Sequence, residues 1–213
     1  MKNKFPLILL IVMNISSFAQ NDGNIKLPAP NTSGGQPIMD VLKNRVSKRE
    51  FLAKEFSLQQ LSDLLWAADG INRPESGKRT APTARNWLDV DLYIVTHQGI
   101  YFYQPTDFVL KLIKSGDYMK ETGKQDFVAD APLNIIIVSN TRKMENVPQE
   151  NKALYAGIHA GSVSQNIYLY CTSFGLNTVT RRALDVDALA KIMGLSPDQM
   201  IVLAQTVGFP PSK

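Results

Sequence analysis

The 213-residue sequence predicts an α+β sandwich in which helices cover a small, mixed and mainly antiparallel sheet, and three stretches carry that prediction. Residues 133–138 form an almost unbroken apolar run, the pattern of a central strand buried on both faces. Residues 90–95 and 100–103 are short β-rich runs separated by His97-Gln98-Gly99, which reads as a hairpin with His97 in its turn. Residues 149–174 keep helical spacing throughout and meet Gly175, a residue suited to a left-handed stop. Strand patterns interleaved with helix patterns in this order define the class.

At the N-terminus, Lys2 and Lys4 precede an apolar run over residues 5–13, and the small residues Ser17 and Ala19 stand just before Gln20. This is the pattern of a secretory signal peptide over residues 1–19. The run is too short to span a bilayer, so no stable membrane anchor is expected after cleavage, and the mature protein is expected outside the cytoplasm, in the periplasm. Residues 20–36 are rich in Asn, Gly, Pro, Ser and Thr and read as a flexible lead-in. The folded domain is then expected over residues 37–213.

Pro37 suits the first position of a helix whose Ile38, Val41 and Leu42 share a face. Ser57 caps a second helix, with Leu58, Leu61, Leu64, Leu65 and Ala68 at three-and-four spacing and a stop at Gly70. After the hairpin, Thr106 is expected to cap a short helix carrying Phe108, Val109, Leu112 and Ile113, followed by a helical stretch over residues 125–129. In the long helix, Ala153, Ala156, Gly157, Ala160, Gly161 and Ser164 make one side small, while Leu154, Ile158, Val163, Ile167, Leu169 and Tyr170 add bulk. Such a helix packs at close range in a core or against another helix, and a dimer interface is the natural candidate. His159 within it reads as a satisfied core histidine rather than a catalytic one. A strand over residues 177–180, a helix from Asp185 to Met193, a turn at Ser196-Pro197-Asp198 and a strand over residues 200–207 complete the chain.

Composition narrows the chemistry. The net charge of +4 falls to +2 without residues 1–19, which hold two lysines and no acid, so a nucleic-acid-binding surface is not indicated. A single cysteine, Cys171, forms no internal disulfide, and with two histidines well apart the chain has little from which to build a metal centre.

Two segments stand out. Arg45, Ser47 and Arg49 alternate just beyond a helix, so an extended chain turns all three to one side, where two guanidinium forks and a hydroxyl would clamp a phosphate. A solvated basic edge would look the same in sequence. Pro82, Thr83 and Ala84 are too small to build a core element, and Asn86 follows with an amide that both donates and accepts.

Together, three motifs resemble the nitroreductase-like FMN enzymes, including azoline dehydrogenases, over nearly all of residues 37–213. They are Arg45-Val46-Ser47-Lys48-Arg49-Glu50-Phe51, then Pro82-Thr83-Ala84-Arg85-Asn86, and the paired ending Gly175-Leu176-Asn177-Thr178-Val179 and Val207-Gly208-Phe209-Pro210. The resemblance implies a three-layer, homodimeric fold and FMN as cofactor. It implies a clamp of Arg45, Val46, Ser47 and Arg49, a ring-lining loop of Pro82, Thr83, Ala84 and Asn86, and Thr178, Val179 and Thr180 giving backbone N–H groups on the far side. Arg181 or Arg182, together with Lys213, would complete the phosphate or pyrimidine contacts. The region from Thr106 to Lys124 would roof the ring. The implied activity is ping-pong hydride transfer between a small-molecule donor and an acceptor such as a nitroaromatic, quinone or heterocycle, with no side-chain acid or base required. Val46 stands where the family usually has a second arginine, Thr83 where it has serine, and Trp87-Leu88-Asp89 departs from its usual continuation. A non-catalytic exported flavin- or ligand-binding protein of the same fold is the alternative, separated by turnover with redox dyes.

Overall fold

A computed structural model describes residues 23–211; the expected signal peptide and Lys213 lie outside the described residues. Among the described residues, nine strands and five α-helices follow in the order β1 (Ile25–Lys26), α1 (Ile38–Asn44), α2 (Leu58–Asp69), β2 (Ile71–Arg73), β3 (Lys78–Arg79), β4 (Val90–Thr96), β5 (Gly99–Gln104), β6 (Val109–Ser115), α3 (Phe127–Asp130), β7 (Leu133–Asn140), α4 (Gln149–Ser173), β8 (Asn177–Arg181), α5 (Val186–Met193) and β9 (Gln199–Gly208).

Seven strands make one sheet in the order β1-β6-β5-β4-β7-β9-β8, and β2 and β3 form a separate hairpin. Every described pairing in the large sheet is antiparallel, the limiting case of the mainly antiparallel sheet expected. Strand β7 lies inside the sheet, between β4 and β9, with all but its last residue buried, because Leu133, Ile135 and Ile137 face one layer and Ile136 and Val138 the other. The first layer is α2 and α4, whose Leu61, Leu64, Leu65, Val163 and Ile167 pack on Leu92, Ile94, Ile135 and Val207. Leu184, Leu189 and Met193, in and before α5, fill the second with Met119. Truncating one such fully buried side chain to alanine costs about 2–5 kcal/mol.

The local signals explain most boundaries. Ser57 closes a capping box with Gln60, its hydroxyl accepting the Gln60 N–H at 3.2 Å and its own N–H reaching the Gln60 side chain at 3.0 Å. Asp185 caps α5 by accepting from Ala188 N–H at 3.1 Å, and Gly175 takes the left-handed conformation expected beyond α4.

Two expectations are corrected. The helix expected from Thr106 is strand β6, which pairs with β5 through Leu110 opposite Tyr103 and Leu112 opposite Tyr101. A bulge displaces the register between Ile100 and Tyr101, and the extra residue sets Leu112 and Ile113 side by side, breaking the two-residue period and imitating helical spacing. The lead-in expected as flexible is laid on the domain. Ile25 and Lys26 pair with Leu110 and Val109, Leu27 is buried, Asp63 accepts the Asn31 N–H at 2.7 Å, and Ser173 accepts the Gln36 N–H at 2.8 Å.

Asp69, at the end of α2, is buried in the same layer and ion-paired with Arg79, which also donates to the Val90 carbonyl at 3.1 Å. Burial raises the Asp69 carboxyl from 3.8 to about 7, against the pull of Arg79, with Asp91 and Asp89 adding repulsion. The fold therefore favours the protonated acid. Its contribution to stability is complete below pH 3.8 and is lost as pH rises through about 7. Asp69→Asn, which mimics the neutral acid, should flatten the fall in unfolding free energy between about pH 4 and 7, a difference of up to roughly 4 kcal/mol. Denaturant titrations of both proteins across that range decide it; parallel pH profiles would refute the assignment.

Candidate functional site

Beyond α1 the chain runs extended beside β8, with the Lys48 N–H donating to the Thr178 carbonyl at 3.0 Å and the Asn177 amide to the Glu50 carbonyl at 2.8 Å. This track brings Arg45 and Ser47 to the same tyrosine of α4. Ser47 turns inward, its hydroxyl 2.7 Å from the Tyr168 hydroxyl, and the Arg45 guanidinium lies 5.2 Å from the centre of the Tyr168 ring. Arg49 is exposed, and among the described residues no carboxylate lies in ion-pair reach of either arginine. Val46 does not join them: with Lys48 it lines a cavity of about 300 Å³ bounded by Asn44, Leu176 and Pro210. Its side chain alternates away from Arg45 and Ser47, so it contributes no contact to a clamp.

Tyr168 was not foreseen. Its hydroxyl also accepts the Thr180 N–H at 2.9 Å, and Thr180's own hydroxyl bonds Ser164 one turn earlier on α4. Thr180 therefore belongs to the node, but its N–H is committed to Tyr168 and is not the free donor expected. Thr178 faces the same layer, its hydroxyl donating to the Thr206 carbonyl at 2.8 Å. Val179 is buried and, by alternation, points to the other layer with Arg181.

Arg181 is a correction. Its guanidinium is buried and donates to the Thr206 hydroxyl at 2.8 Å, the side-chain Oδ1 of Asn134 at 2.5 Å and the Thr122 backbone carbonyl. Burial lowers its pKa to about 10. Each of its three nitrogens is engaged in tying the loop before α3 to β7, β8 and β9, inside the protein rather than toward a ligand phosphate. The roof expected from Thr106 to Lys124 is likewise divided: β6 lies at the far end of the sheet from β8, and only the stretch near Thr122 returns to it.

The loop 82–88 meets the same helix two and a half turns before Tyr168. Ala84 N–H donates to His159 Nε2 at 2.9 Å, Leu88 N–H donates to the Thr83 hydroxyl at 3.0 Å, and Lys143 donates to the Leu88 carbonyl at 2.9 Å. Arg85, Asn86 and Leu88 adopt φ of 50°, 57° and 50°, a conformation uncommon for residues other than glycine. Strain held by several anchors marks loops shaped for a purpose other than stability. Pro82 and Asn86 are exposed, and Asn86 presents its amide to solvent.

The buried face of α4 thus gathers the site: His159 holds the loop, Ser164 holds Thr180, and Tyr168 holds Ser47 and Arg45. The one sequence signal for Tyr168 was its place on that face with His159 and Ser164, three polar groups in a largely apolar stripe. A separate apolar cavity of about 310 Å³, lined by Phe56, Leu58, Tyr101 and Leu110, includes none of these residues.

Helices around one antiparallel sheet, with the longest helix holding Arg45, Ser47 and a strained loop, define an α+β sandwich. The sequence profile described as the Nitroreductase family matches residues 42–209, and the chain belongs to that family. A Methanocaldococcus jannaschii protein named as a candidate nitroreductase is 29% identical over 174 residues, covering 77% of this chain and 87% of its own. The crystal structure of a candidate nitroreductase from Ralstonia eutropha superposes with a TM-score of 0.84 at 39% identity, over 89% of this chain and 90% of that one. A candidate nitroreductase from Desulfovibrio desulfuricans, solved in complex with FMN, shares the fold with a TM-score of 0.61 at 16% identity, over 84% and 89% of the two chains. The chain is an oxidoreductase of this family.

Proposed function

We propose that the mature protein is an exported FMN-dependent oxidoreductase acting as a homodimer on small-molecule donors and acceptors. The observation that carries this reading is the convergence on one helix of Arg45 and Ser47, with Arg49 two residues on, and a strained loop bearing an exposed amide. These groups fit FMN by donor type: Arg45 and Arg49 suit its phosphate, and Asn86, which donates and accepts, suits its pyrimidine edge. The FMN complex of the Desulfovibrio desulfuricans relative supports the choice of cofactor. When bound, the flavin supplies the hydride chemistry, donor and acceptor taking turns in a ping-pong cycle.

The protein's own part is to bind and orient. Stacking on Tyr168 gives Arg45 a fixed direction, so less side-chain freedom is lost when it meets an anion. The exposed face of α4 carries Leu154, Gly157, Ile158 and Gly161, and α1 adds exposed Ile38, Met39 and Leu42, an apolar surface that suits a second copy of the chain. Export rests on the charge and apolar pattern of residues 1–19.

An absorbance spectrum of the mature protein, mixed with FMN and desalted, tests the reading. Retained flavin bands that bleach with a reductant and return with a quinone or nitroaromatic acceptor are expected. A colourless folded protein would refute it, and bound flavin without turnover would identify a binding protein instead.

A further inference from the structure

His159 is buried in α4, and the structure gives each of its ring nitrogens one partner. Nε2 accepts the Ala84 N–H at 2.9 Å, so Nε2 carries the lone pair and the proton sits on Nδ1. Nδ1 lies 2.7 Å from Asp89 Oδ1, and among the described residues neither of these two atoms has another partner. The other carboxylate oxygen of Asp89 accepts the Ser139 hydroxyl at 2.7 Å. Asp89 is fully buried and follows directly on the loop that Ala84 begins, while Ser139 lies near the end of strand β7.

Serine, aspartate and histidine here do not form a hydrolytic triad. In that arrangement the histidine lone pair draws a proton from the serine, with the carboxylate behind the histidine. Here the lone pair is taken by a backbone N–H, and the serine sits behind the carboxylate. The chain of contacts runs instead from the rigid sheet outward to one amide of the loop.

That amide opens the turn in which Arg85, Asn86 and Leu88 hold positive φ. Without external ties such residues relax toward commoner conformations. Trp87 adds a second tie to α4, its ring edge-on to Tyr155 at 5.3 Å and 6.1 Å from His159. Asn86, the exposed amide of the turn, keeps its direction only while the turn keeps its shape.

We infer that His159, oriented by Asp89 and Ser139, is a positioning residue that holds residues 83–88 in the strained conformation that presents Asn86 to the cofactor. The inference rests on the flavin reading above. It assigns His159 no contact with the cofactor and no proton transfer.

Hydrogen exchange of residues 83–88 in the flavin-free protein and the FMN dissociation constant, read by flavin fluorescence, test it in His159→Ala and His159→Gln. In His159→Ala, exchange in the loop should rise about tenfold with β7 protection unchanged, and FMN affinity should fall about tenfold, the effect of one lost hydrogen bond. His159→Gln, whose amide oxygen can accept from Ala84, should recover most of both. If His159→Ala does not fold, Ser139→Ala should move both readouts in the same direction by a smaller factor. Unchanged loop exchange in the folded variant would overturn the inference, as would faster exchange with unchanged FMN affinity. A wild type that binds no FMN sinks the flavin reading and this inference with it, before any variant is compared.

Discussion

Replacing Arg45 and Arg49 together by alanine should weaken FMN binding by a factor of about 100 or more, the largest change expected from any pair of surface substitutions in this chain. Each arginine is placed to give charge-assisted hydrogen bonds to a phosphate, individually worth about 1.5–3 kcal/mol, so losing both removes two or more powers of ten. The two are not equivalent. Arg45 is held over the Tyr168 ring, whereas Arg49 is exposed, so Arg45→Ala should cost more than Arg49→Ala. Tyr168→Phe keeps the ring beneath Arg45 and removes only the hydroxyl joining Ser47 to Thr180, and about a tenfold loss is expected. Fluorescence titration at two salt concentrations checks the series, because a charge-based clamp weakens with added salt and the double variant should lose most of that dependence. Affinity equal to wild type in the double variant would place the phosphate elsewhere. Thermal stability should barely move, since neither arginine has an ion-pair partner among the described residues.

That Arg45 and Ser47 share a side was legible because alternation is a local property of extended backbone, and the track along β8 brings both to Tyr168. The same holds for α2, α4, α5 and β7, where cap, stop and apolar period agree within one segment. What sequence could not supply was the partner across the fold. Arg181 looks like a ligand for phosphate until Thr122, Asn134 and Thr206, 59, 47 and 25 residues away, are seen around its guanidinium. Tyr168 looks like helix filling until Ser47, 121 residues away, meets its hydroxyl. His159 was read correctly as satisfied, yet its acceptor role toward Ala84 spans 75 residues and carries no local mark. Residues 24–36 failed for a related reason. Too few apolar groups announce a core element there, and the segment is held by single anchors, Leu27, Asn31 and Gln36, each matched to a distant site.

Gly161→Arg should turn a dimer into a folded monomer, raising the dissociation constant by about a thousandfold or more. Gly161 and Gly157 lie one turn apart on the exposed side of α4, flanked by Leu154 and Ile158, which are 64% and 55% exposed in the single chain. A side chain added at either glycine meets open space within the protomer. The monomer therefore has no reason to resist the substitution, and it gains helix propensity, since glycine in a helix interior is about 0.5–1 kcal/mol less stable than other residues. In the dimer the same side chain would hold the helices apart or bury an unpaired guanidinium, a penalty of several kcal/mol for each copy across a two-fold axis. The two effects have opposite signs, which separates an interface from a merely structural position. Sedimentation velocity should show the monomer, while a denaturant titration at low protein concentration should show equal or greater stability. Gly157→Ala, a small addition on the same face, should weaken the dimer only slightly. If the Gly161→Arg protein remains a dimer of undiminished affinity, α4 is not the interface. If it is instead a monomer, loss of FMN binding would mean that each site takes residues from both copies, and retention of FMN would mean that the clamp and loop of one chain suffice.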